Sequence, residues 1–239
     1  MKPSGNTVLI TGGSSGIGLE LAKKFVAENN TVIITGRSEK KLLAACNEIP
    51  EIIPEISDIT NESDSRQLTE KYDINILVNN AGIQCQYNLA DESIPNELII
   101  SEINTNFTGQ ILLTRAFLPM LKLKEKAAII NVTSLLSIVP KESAPVYCAT
   151  KSAFSSFTKT LRWQLSDTSV KVFELVPPLV KTAMTKNNKK NMINTKELVD
   201  AFWKKFEDNV YTVYIQKSKT AYYLNRLMPG VVERRVRNG

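Results

Sequence analysis

The sequence predicts an α/β fold in which one parallel β-sheet is flanked by helices on both faces. Short apolar runs alternate along the chain with longer stretches whose apolar residues recur at helical spacing. The short runs are rich in β-branched residues and almost continuously apolar, which is typical of strands buried on both faces. Such alternation implies βαβ units with right-handed crossovers. We therefore expect one doubly wound domain over residues 1–239, with about seven strands.

The predicted elements follow one another in chain order. Six strands are predicted at residues 7–11, 31–35, 74–79, 127–133, 170–176 and 210–215. A further strand, the third in chain order, is expected immediately before residues 56–60. The helices are residues 19–29, 38–49 with Ser38 as N-cap, 97–122 and 146–167. Residues 181–196 are polar, rich in Asn and Lys, and without periodicity, which favours a mobile loop or substrate lid. Residues 207–236 are predicted to form a strand, an amphipathic helix and a basic tail.

The composition excludes several kinds of active site. The 239 residues include no histidine and three cysteines. Ser-His-Asp and Cys-His arrangements are excluded, as are zinc sites with a histidine ligand or with four cysteines, and no metal site is predicted. Proton transfer must therefore use tyrosine, lysine, a carboxyl, a thiol, a hydroxyl or water.

Cysteine usage and hydropathy indicate where the protein resides. The cysteines are odd in number and widely spaced, so a reducing cytoplasm fits better than a disulfide framework. The N-terminus runs directly into a strand pattern without an apolar signal region. No run reaches 18 apolar residues, so no membrane span is expected.

The positive charge is concentrated in the last quarter of the chain. The formal net charge is +6, and residues 180–239 carry 13 Lys and Arg against 5 Asp and Glu. This imbalance indicates a phosphorylated cofactor, an acidic substrate or an anionic membrane face, with a merely solvated basic surface as the alternative. The basic residues follow no nucleic-acid recognition motif, so no nucleic-acid partner is expected.

A glycine-rich turn follows the first predicted strand and opens the first helix. Four of the ten glycines fall within seven residues, Gly12, Gly13, Gly16 and Gly18. Without side chains, the backbone can turn sharply and let a pyrophosphate approach the helix N-terminus, where free N–H groups and the helix dipole favour anions. Ser14 and Ser15 can add hydroxyl donors. The context favours dinucleotide binding over a tight turn without a ligand.

A tyrosine, a lysine and a serine form a candidate catalytic set. Tyr147 and Lys151 are four residues apart, so on a helix they share one face. An ammonium beside a phenol stabilises phenolate, and we expect it to lower the pKa of Tyr147 from about 10. Ser134 stands thirteen residues earlier, at the end of a predicted strand, where it can hydrogen-bond a substrate oxygen. A Tyr-x-x-x-Lys pair alone is usually an ordinary pair on a helix surface. The prediction of a catalytic site therefore depends on the pair occurring together with the upstream serine and the glycine turn.

These features belong to an ordered series of motifs. The series comprises the glycine turn at 11–18, Asn-Asn-Ala-Gly at 79–82, Asn106 in the segment 106–109, Ser134, Tyr147 with Lys151, and Pro-Pro-Leu-Val-Lys-Thr at 177–182. In order and spacing it resembles the short-chain dehydrogenase/reductase family, in its short single-domain branch, over roughly residues 5–185. The resemblance implies a Rossmann-type sheet and hydride transfer between a nicotinamide cofactor and a carbonyl or alcohol substrate.

The resemblance also implies roles for individual residues. Tyr147 moves the proton on the substrate oxygen beside Ser134, Lys151 also holds the nicotinamide ribose, and Asn106 positions a water that links Lys151 to solvent. Asp58 matches the position that contacts adenine. The full expected cofactor set is Gly12, Ser14, Ser15, Gly16, Ile17, Gly18, Arg37, Ser38, Asp58, Ile59, Asn80, Ala81, Gly82, Tyr147, Lys151, Pro177, Val180 and Thr182.

The end of the second strand favours NADP(H) over NAD(H). NAD enzymes place an acid there to accept hydrogen bonds from the adenosine ribose, and here Gly36 takes that place. Arg37 would attract a 2′-phosphate and Ser38 could donate a further hydrogen bond. A second basic residue often found before the middle glycine is replaced by Ser15.

Two segments depart from the family pattern. Pro178 replaces the usual glycine after the sixth strand, fixing φ and removing an N–H. The C-terminus lacks the common Gly-rich ending on which tetramers often depend, so we expect a homodimer through the helices predicted at 97–122 and 146–167, the fourth and fifth of the family's fold. Both segments resemble a bacterial subgroup associated with teichoic-acid D-alanylation proteins.

Three functions are compatible with the motifs. The first is an NADP(H)-dependent carbonyl reductase or alcohol dehydrogenase acting on a small molecule, which the basic lid suggests is anionic. The second is a cofactor-binding sensor or interaction protein without turnover, which would not need the complete Asn-Ser-Tyr-Lys set. The third is an epimerase or dehydratase of the longer family branch, disfavoured by the three-residue gap between Gly12 and Gly16 and by the small C-terminal region.

Overall fold

The computed structural model describes residues 2–186 and 192–237, which contain one seven-stranded parallel sheet. The strand order is β3-β2-β1-β4-β5-β6-β7. The strands are β1 Thr7–Thr11, β2 Thr31–Gly36, β3 Ile53–Ile56, β4 Ile76–Asn79, β5 Ala127–Val132, β6 Val170–Val176 and β7 Thr212–Tyr214. The predicted doubly wound α/β sheet is confirmed.

Helices connect the strands and cover both faces of the sheet. They are α1 Gly16–Ala27, α2 Glu39–Glu48, α3 Glu62–Lys71, α4 Asn96–Ile103, α5 Gly109–Leu123, α6 Pro145–Gln164, α7 Thr195–Glu207, α8 Lys217–Leu227 and α9 Pro229–Arg237. Ser38 caps α2 by accepting a hydrogen bond from the Lys41 backbone N–H, as its residue type predicts. Asn194 and Glu197 form a capping box that starts α7.

Alternate residues of each central strand enter two separate apolar cores. In β1, Val8 and Ile10 pack with the helices of one face, whereas Leu9 packs with those of the other. On the first face, Phe25 of α1 meets Trp203 of α7 edge to face, with ring centroids 4.9 Å apart. This two-sided burial explains why the strands are apolar at nearly every position, and it holds their carboxyl ends in fixed register.

The helix predicted over residues 97–122 is present, but a π-helical turn interrupts its α-helical geometry. The chain forms α4, then a π-helical turn at Asn104–Thr108, then α5. Gly109 follows the turn where the chain passes close to another segment, since a Cβ there would lie 2.7 Å from the Ile59 carbonyl oxygen. A π-turn widens the helix locally and re-aims its side chains, and such turns are frequent at functional sites.

The C-terminal part also differs from the sequence prediction. The residues expected as a basic tail form α9, a helix of nine residues. The segment 181–196 contains a short 3₁₀ turn at Ala183–Thr185, and its last two residues already belong to α7. Residues 187–191 of the expected lid lie outside the described residues. Within the described ranges, no helix is both long and apolar enough to cross a membrane.

Candidate active site

The candidate site lies at the carboxyl edge of the sheet, where the strand order reverses between β1 and β4. The Thr11 hydroxyl oxygen accepts hydrogen bonds from the backbone N–H groups of Asn80 (2.9 Å) and Ala81 (3.0 Å). The Asn80 amide donates back to the carbonyls of Thr11 (2.9 Å) and Gly12 (3.2 Å). These bonds fix the Asn-Asn-Ala-Gly motif directly against the glycine turn.

The glycine turn has the conformation that its residues predict. Gly12 and Gly16 have φ angles of +62° and +57°, in the left-handed region that glycine adopts readily. A Cβ at Gly12 would lie 2.9 Å from the Ala81 Cα, and one at Gly18 would lie 2.5 Å from the Gly12 carbonyl oxygen. Ser15 precedes α1 in extended backbone without a side-chain cap bond, and the first turn of α1 contains no acid. The helix N-terminus is therefore suited to an anion.

Asn106 lies within the π-helical turn and holds the chain that leaves β4. Its Oδ1 accepts from the Ile83 backbone N–H and its Nδ2 donates to the Ile83 carbonyl, both at 2.8 Å. A Cβ at Gly82 would lie 3.1 Å from that Oδ1 and 3.7 Å from the Lys151 Nζ. The structure thus brings Asn106, Gly82 and Lys151 together, as the motifs predict.

Tyr147 and Lys151 are both buried on one face of α6. The Lys151 Nζ donates to the Val132 carbonyl at 3.0 Å and lies 5.9 Å from the centroid of the Tyr147 ring. Ser134 follows β5, and its hydroxyl oxygen accepts from the Leu136 backbone N–H at 3.1 Å while also hydrogen-bonding Tyr147. The three side chains that the sequence groups by spacing are therefore neighbours.

Burial controls the ionisation of both catalytic candidates. It raises the pKa of Tyr147 to about 12, although the Ser134 hydrogen bond acts in the lowering direction. Burial also lowers the pKa of Lys151 to about 8. The expected lowering of the Tyr147 pKa is therefore not what this structure shows, because the cost of burying a phenolate outweighs the stabilisation that neighbouring groups supply.

The end of β2 carries an arginine that faces an acid. The Arg37 guanidinium lies 3.8 Å from the Asp58 carboxylate, and both side chains are substantially exposed. The other carboxylate oxygen of Asp58 accepts from the Thr60 backbone N–H (2.9 Å) and hydroxyl (2.8 Å). A Cβ at Gly36 would have its closest contact at 3.5 Å, to the Ser14 hydroxyl, so the missing acid is not a consequence of crowding. Ser38 remains near this group as the cap of α2.

The segment after β6 reaches across to the glycine turn. The Pro177 carbonyl accepts from the Leu135 backbone N–H at 2.8 Å, which joins this segment to the one after β5. Val180 is buried and forms a parallel bridge with Ile193. The Thr182 Cγ2 would lie 3.3 Å from a Cβ at Gly16. Although Pro178 replaces the usual glycine, the segment still places Thr182 beside the glycine turn.

Glu102, a buried residue near this site, escaped the sequence prediction. Glu102, on α4, accepts hydrogen bonds from the Cys85 backbone N–H and the Tyr87 hydroxyl. The one available signal was an acid four residues before Asn106, on the same helix face. A separate cleft of about 720 Å³, lined by Arg162 and Lys171 among others, contains none of the catalytic candidates.

Comparison with known proteins places this arrangement in a family. The family model described as short chain dehydrogenase matches residues 6–193. An uncharacterised oxidoreductase of Bacillus subtilis, DltE, is 45% identical over 196 residues, which cover 79% of this chain and 77% of the relative. The NADP-dependent 3-hydroxy acid dehydrogenase YdfG of Salmonella typhi is 33% identical over 179 residues, 72% of each chain.

A solved structure agrees over almost the whole chain. A short chain dehydrogenase from Burkholderia cenocepacia, solved in complex with NADP, superposes with a TM-score of 0.89 at 27% identity, covering 99% of both chains. The match to DltE also confirms the resemblance to the D-alanylation-associated subgroup. This chain belongs to the short-chain dehydrogenase family of oxidoreductases.

Proposed function

We propose that the protein transfers a hydride between NADP(H) and a carbonyl or alcohol substrate, with Tyr147 as the acid/base. The observation that carries this proposal is the juxtaposition of Tyr147, Ser134, Lys151 and Asn106 beside the glycine turn. No histidine is needed, since a phenol can carry the proton on the substrate oxygen.

The glycine turn fits a dinucleotide. Positive φ angles at Gly12 and Gly16 and the uncapped start of α1 leave backbone N–H groups and open space where a pyrophosphate can approach. Thr182 and the Asn80–Gly82 segment border the same space. When bound, the nicotinamide supplies or accepts the hydride, and the protein supplies position and electrostatics.

The catalytic side chains have separate tasks in this proposal. Ser134 hydrogen-bonds the substrate oxygen and stabilises the charge that develops on it. Tyr147 gives its proton to that oxygen as a carbonyl is reduced, and the raised pKa keeps the phenol protonated at neutral pH. Lys151 donates a hydrogen bond to the Val132 carbonyl, and it provides positive charge and a contact to the ribose. Asn106, which is hydrogen-bonded to the Ile83 backbone, shapes the route by which a water reaches Lys151.

The adenosine end supports NADP(H) as the preferred cofactor. Arg37 is exposed at the end of β2, where no acid would repel a 2′-phosphate, since Gly36 stands there. YdfG and the Burkholderia cenocepacia structure are, respectively, an NADP-dependent enzyme and an NADP complex. Against this preference, Asp58 faces Arg37 at 3.8 Å and would compete with the phosphate for the guanidinium.

Charge near the substrate side favours a carbonyl compound with an anionic group. Lys181 and Lys186 flank the 3₁₀ turn after Thr182, and both are exposed. Because an exposed ammonium is strongly hydrated, it would steer an anion without holding it tightly.

Exposed apolar side chains support a homodimer through the α4–α5 and α6 surfaces. Ile100 is 54% exposed, Leu112 43%, Leu123 88% and Trp163 62%. Large apolar side chains that stay exposed on neighbouring helices can be covered by a second copy of the chain. Light scattering coupled to gel filtration measures the assembly directly, and a monomeric mass would contradict this part of the proposal.

The test of the proposed function is a turnover screen. Aldehydes, ketones and alcohols, with and without carboxylate or phosphate groups, are assayed for NADPH oxidation or NADP⁺ reduction. Tyr147→Phe is expected to lower turnover at least about 100-fold, while Tyr223→Phe, on exposed α8, serves as the matched control and leaves it unchanged. Turnover unaffected by Tyr147→Phe overturns the mechanism. NADPH binding without turnover on any substrate favours the sensor function.

A further inference from the structure

A buried carboxyl lies beside the candidate site and has no task in the proposed mechanism. Glu102 is 0% exposed and lies on α4, four residues before Asn106. A buried carboxylate is costly unless hydrogen-bond donors surround it. Its presence here therefore requires partners that compensate for the burial.

Glu102 and Asn106 hold the same stretch of chain from one helix face. The Glu102 Oε1 accepts from the Cys85 backbone N–H at 2.9 Å, and its Oε2 accepts from the Tyr87 hydroxyl at 3.1 Å. Both oxygens thus act as acceptors, which suits the ionised form. Asn106 holds Ile83 just upstream by two hydrogen bonds.

The segment held by Glu102 continues to the start of the catalytic helix. The Tyr87 backbone N–H donates to the Ser143 carbonyl at 3.0 Å, and Ser143 lies two residues before α6 begins. Residues 83–87 are therefore fixed by Asn106 at Ile83, by Glu102 at Cys85 and Tyr87, and by Ser143 at the Tyr87 backbone.

The groups around Tyr147 come from three parts of the fold. Lys151 and Cys148 lie on its own helix, Ser134 follows β5, and Glu102 approaches from α4. The Glu102 charge acts on both Tyr147 and Cys148 in the direction that favours their neutral forms. A negative charge near a phenol opposes its ionisation.

We propose that Glu102 is a positioning residue: its carboxylate fixes Cys85 and Tyr87 and, through the bond from Tyr87 to Ser143, the entry of α6, the helix that carries Tyr147. This inference rests on the proposed function, in which Tyr147 is the acid/base. The structural part of this role comes from the two hydrogen bonds, and the negative charge of the same carboxylate adds to it by opposing ionisation of Tyr147. Different substitutions separate the two parts.

Glu102→Gln removes the charge but keeps the size of the side chain and an acceptor oxygen. The midpoint of the pH profile for alcohol oxidation is expected to move to lower pH, with oxidation at pH 7 increased about threefold or more. The matched variant Tyr87→Phe removes one hydrogen bond and keeps the charge, so it is expected to raise KM and leave the pH midpoint unchanged. An unchanged KM in Tyr87→Phe overturns the positioning role, and equal pH profiles for wild type and Glu102→Gln overturn the electrostatic effect.

A pH titration of Tyr147 needs no substrate, so its result does not depend on whether the proposed function is correct. Tyrosinate absorbance is recorded against pH for each protein and its Tyr147→Phe counterpart, and the difference isolates Tyr147. Glu102→Gln is expected to deprotonate Tyr147 at lower pH than wild type, and coincident titrations contradict the inference even if no substrate has been found. If Glu102→Gln does not fold, Glu102→Met replaces it, because an apolar side chain of similar length is tolerated in buried positions.

Discussion

The cofactor half and the substrate half of the candidate site are built in different ways. The cofactor half consists of backbone turns packed at distances that leave no room for side chains, as at Gly12 and Gly18. The substrate half depends more on side-chain bonds between separate segments. The Tyr87 hydroxyl donates to Glu102 of α4, and the Glu142 carboxylate lies 2.6 Å from the Arg237 guanidinium of α9.

This difference determines what each half tolerates. Backbone turns leave little room for adjustment, because any added atom meets a neighbouring main chain. Side-chain ties can be broken one at a time, and most of those at the surface are worth little energy individually. We therefore expect substitutions in the cofactor half to be severe and those in the substrate half to change affinity gradually.

The largest effect is expected at Gly12. Its φ of +62° and the 2.9 Å contact that an added methyl group would make with the Ala81 Cα combine strain and overlap. Gly12→Ala should lower the free energy of unfolding by about 2–4 kcal/mol and abolish NADPH binding, measured by urea denaturation and fluorescence titration. Gly5→Ala is the matched control, with φ +73° but nothing within 4 Å; it should cost about 1 kcal/mol. Equal losses in the two variants would show that crowding at Gly12 has no consequence.

Arg37 tests the adenosine end of the cofactor half. Arg37→Ala should weaken NADPH binding about tenfold or more, since a charge-assisted contact to the 2′-phosphate is lost. NADH binding should change little, because NADH lacks that phosphate. Lys40→Ala, an exposed cation on α2, is the control. Tighter binding of NADH than NADPH by the wild-type protein would remove the basis of this prediction.

Substitution of Lys151 is expected to have opposite effects on stability and on activity. Burial holds the pKa of Lys151 at about 8, below its usual value of 10.5. Between these pH values the unfolded chain keeps a proton that the folded protein has lost, so wild-type stability rises with pH. Lys151→Met should therefore stabilise the protein by about 1–2 kcal/mol at pH 7, and less as the pH rises, while removing activity.

Urea unfolding at several pH values measures this effect. Exposed Lys159 on the same helix provides the control, and Lys159→Met should show no such pH dependence. A Lys151→Met variant that is less stable than wild type at pH 7 would contradict the burial cost.

The smallest effect is expected at the ion pair between Glu142 and Arg237, which joins the substrate half to α9. The Glu142 backbone N–H also donates to the Arg237 carbonyl at 3.2 Å, so the ion pair is only part of the contact. Glu142→Gln should raise KM for the substrate by a few fold at most, because an exposed pair contributes little. NADPH affinity, measured by titration, should stay unchanged; a large loss there would mean that the two halves are not separately built.

The same difference explains how much the sequence could predict. The placement of Gly12, Asn80 and Lys151 around one edge of the sheet could be predicted, because their motifs consist of particular residue types at fixed spacing along the chain. The π-turn at Asn104–Thr108 was not, since residues 97–122 keep a helical apolar pattern throughout. Nor was α9, whose contact with the segment around Glu142 joins positions nearly a hundred residues apart. The pKa direction of Tyr147 depends on burial, which no local spacing reveals.

The most direct test of the proposed hydride transfer follows the hydride and the proton donor together. NADPH carrying deuterium at the transferable C4 position is incubated with a carbonyl substrate found in the turnover screen, and the product is examined by mass spectrometry. The proposed mechanism predicts one deuterium on the new carbinol carbon with wild-type protein and little product with Tyr147→Phe. Product without the label, or labelled product formed equally well by Tyr147→Phe, would contradict it.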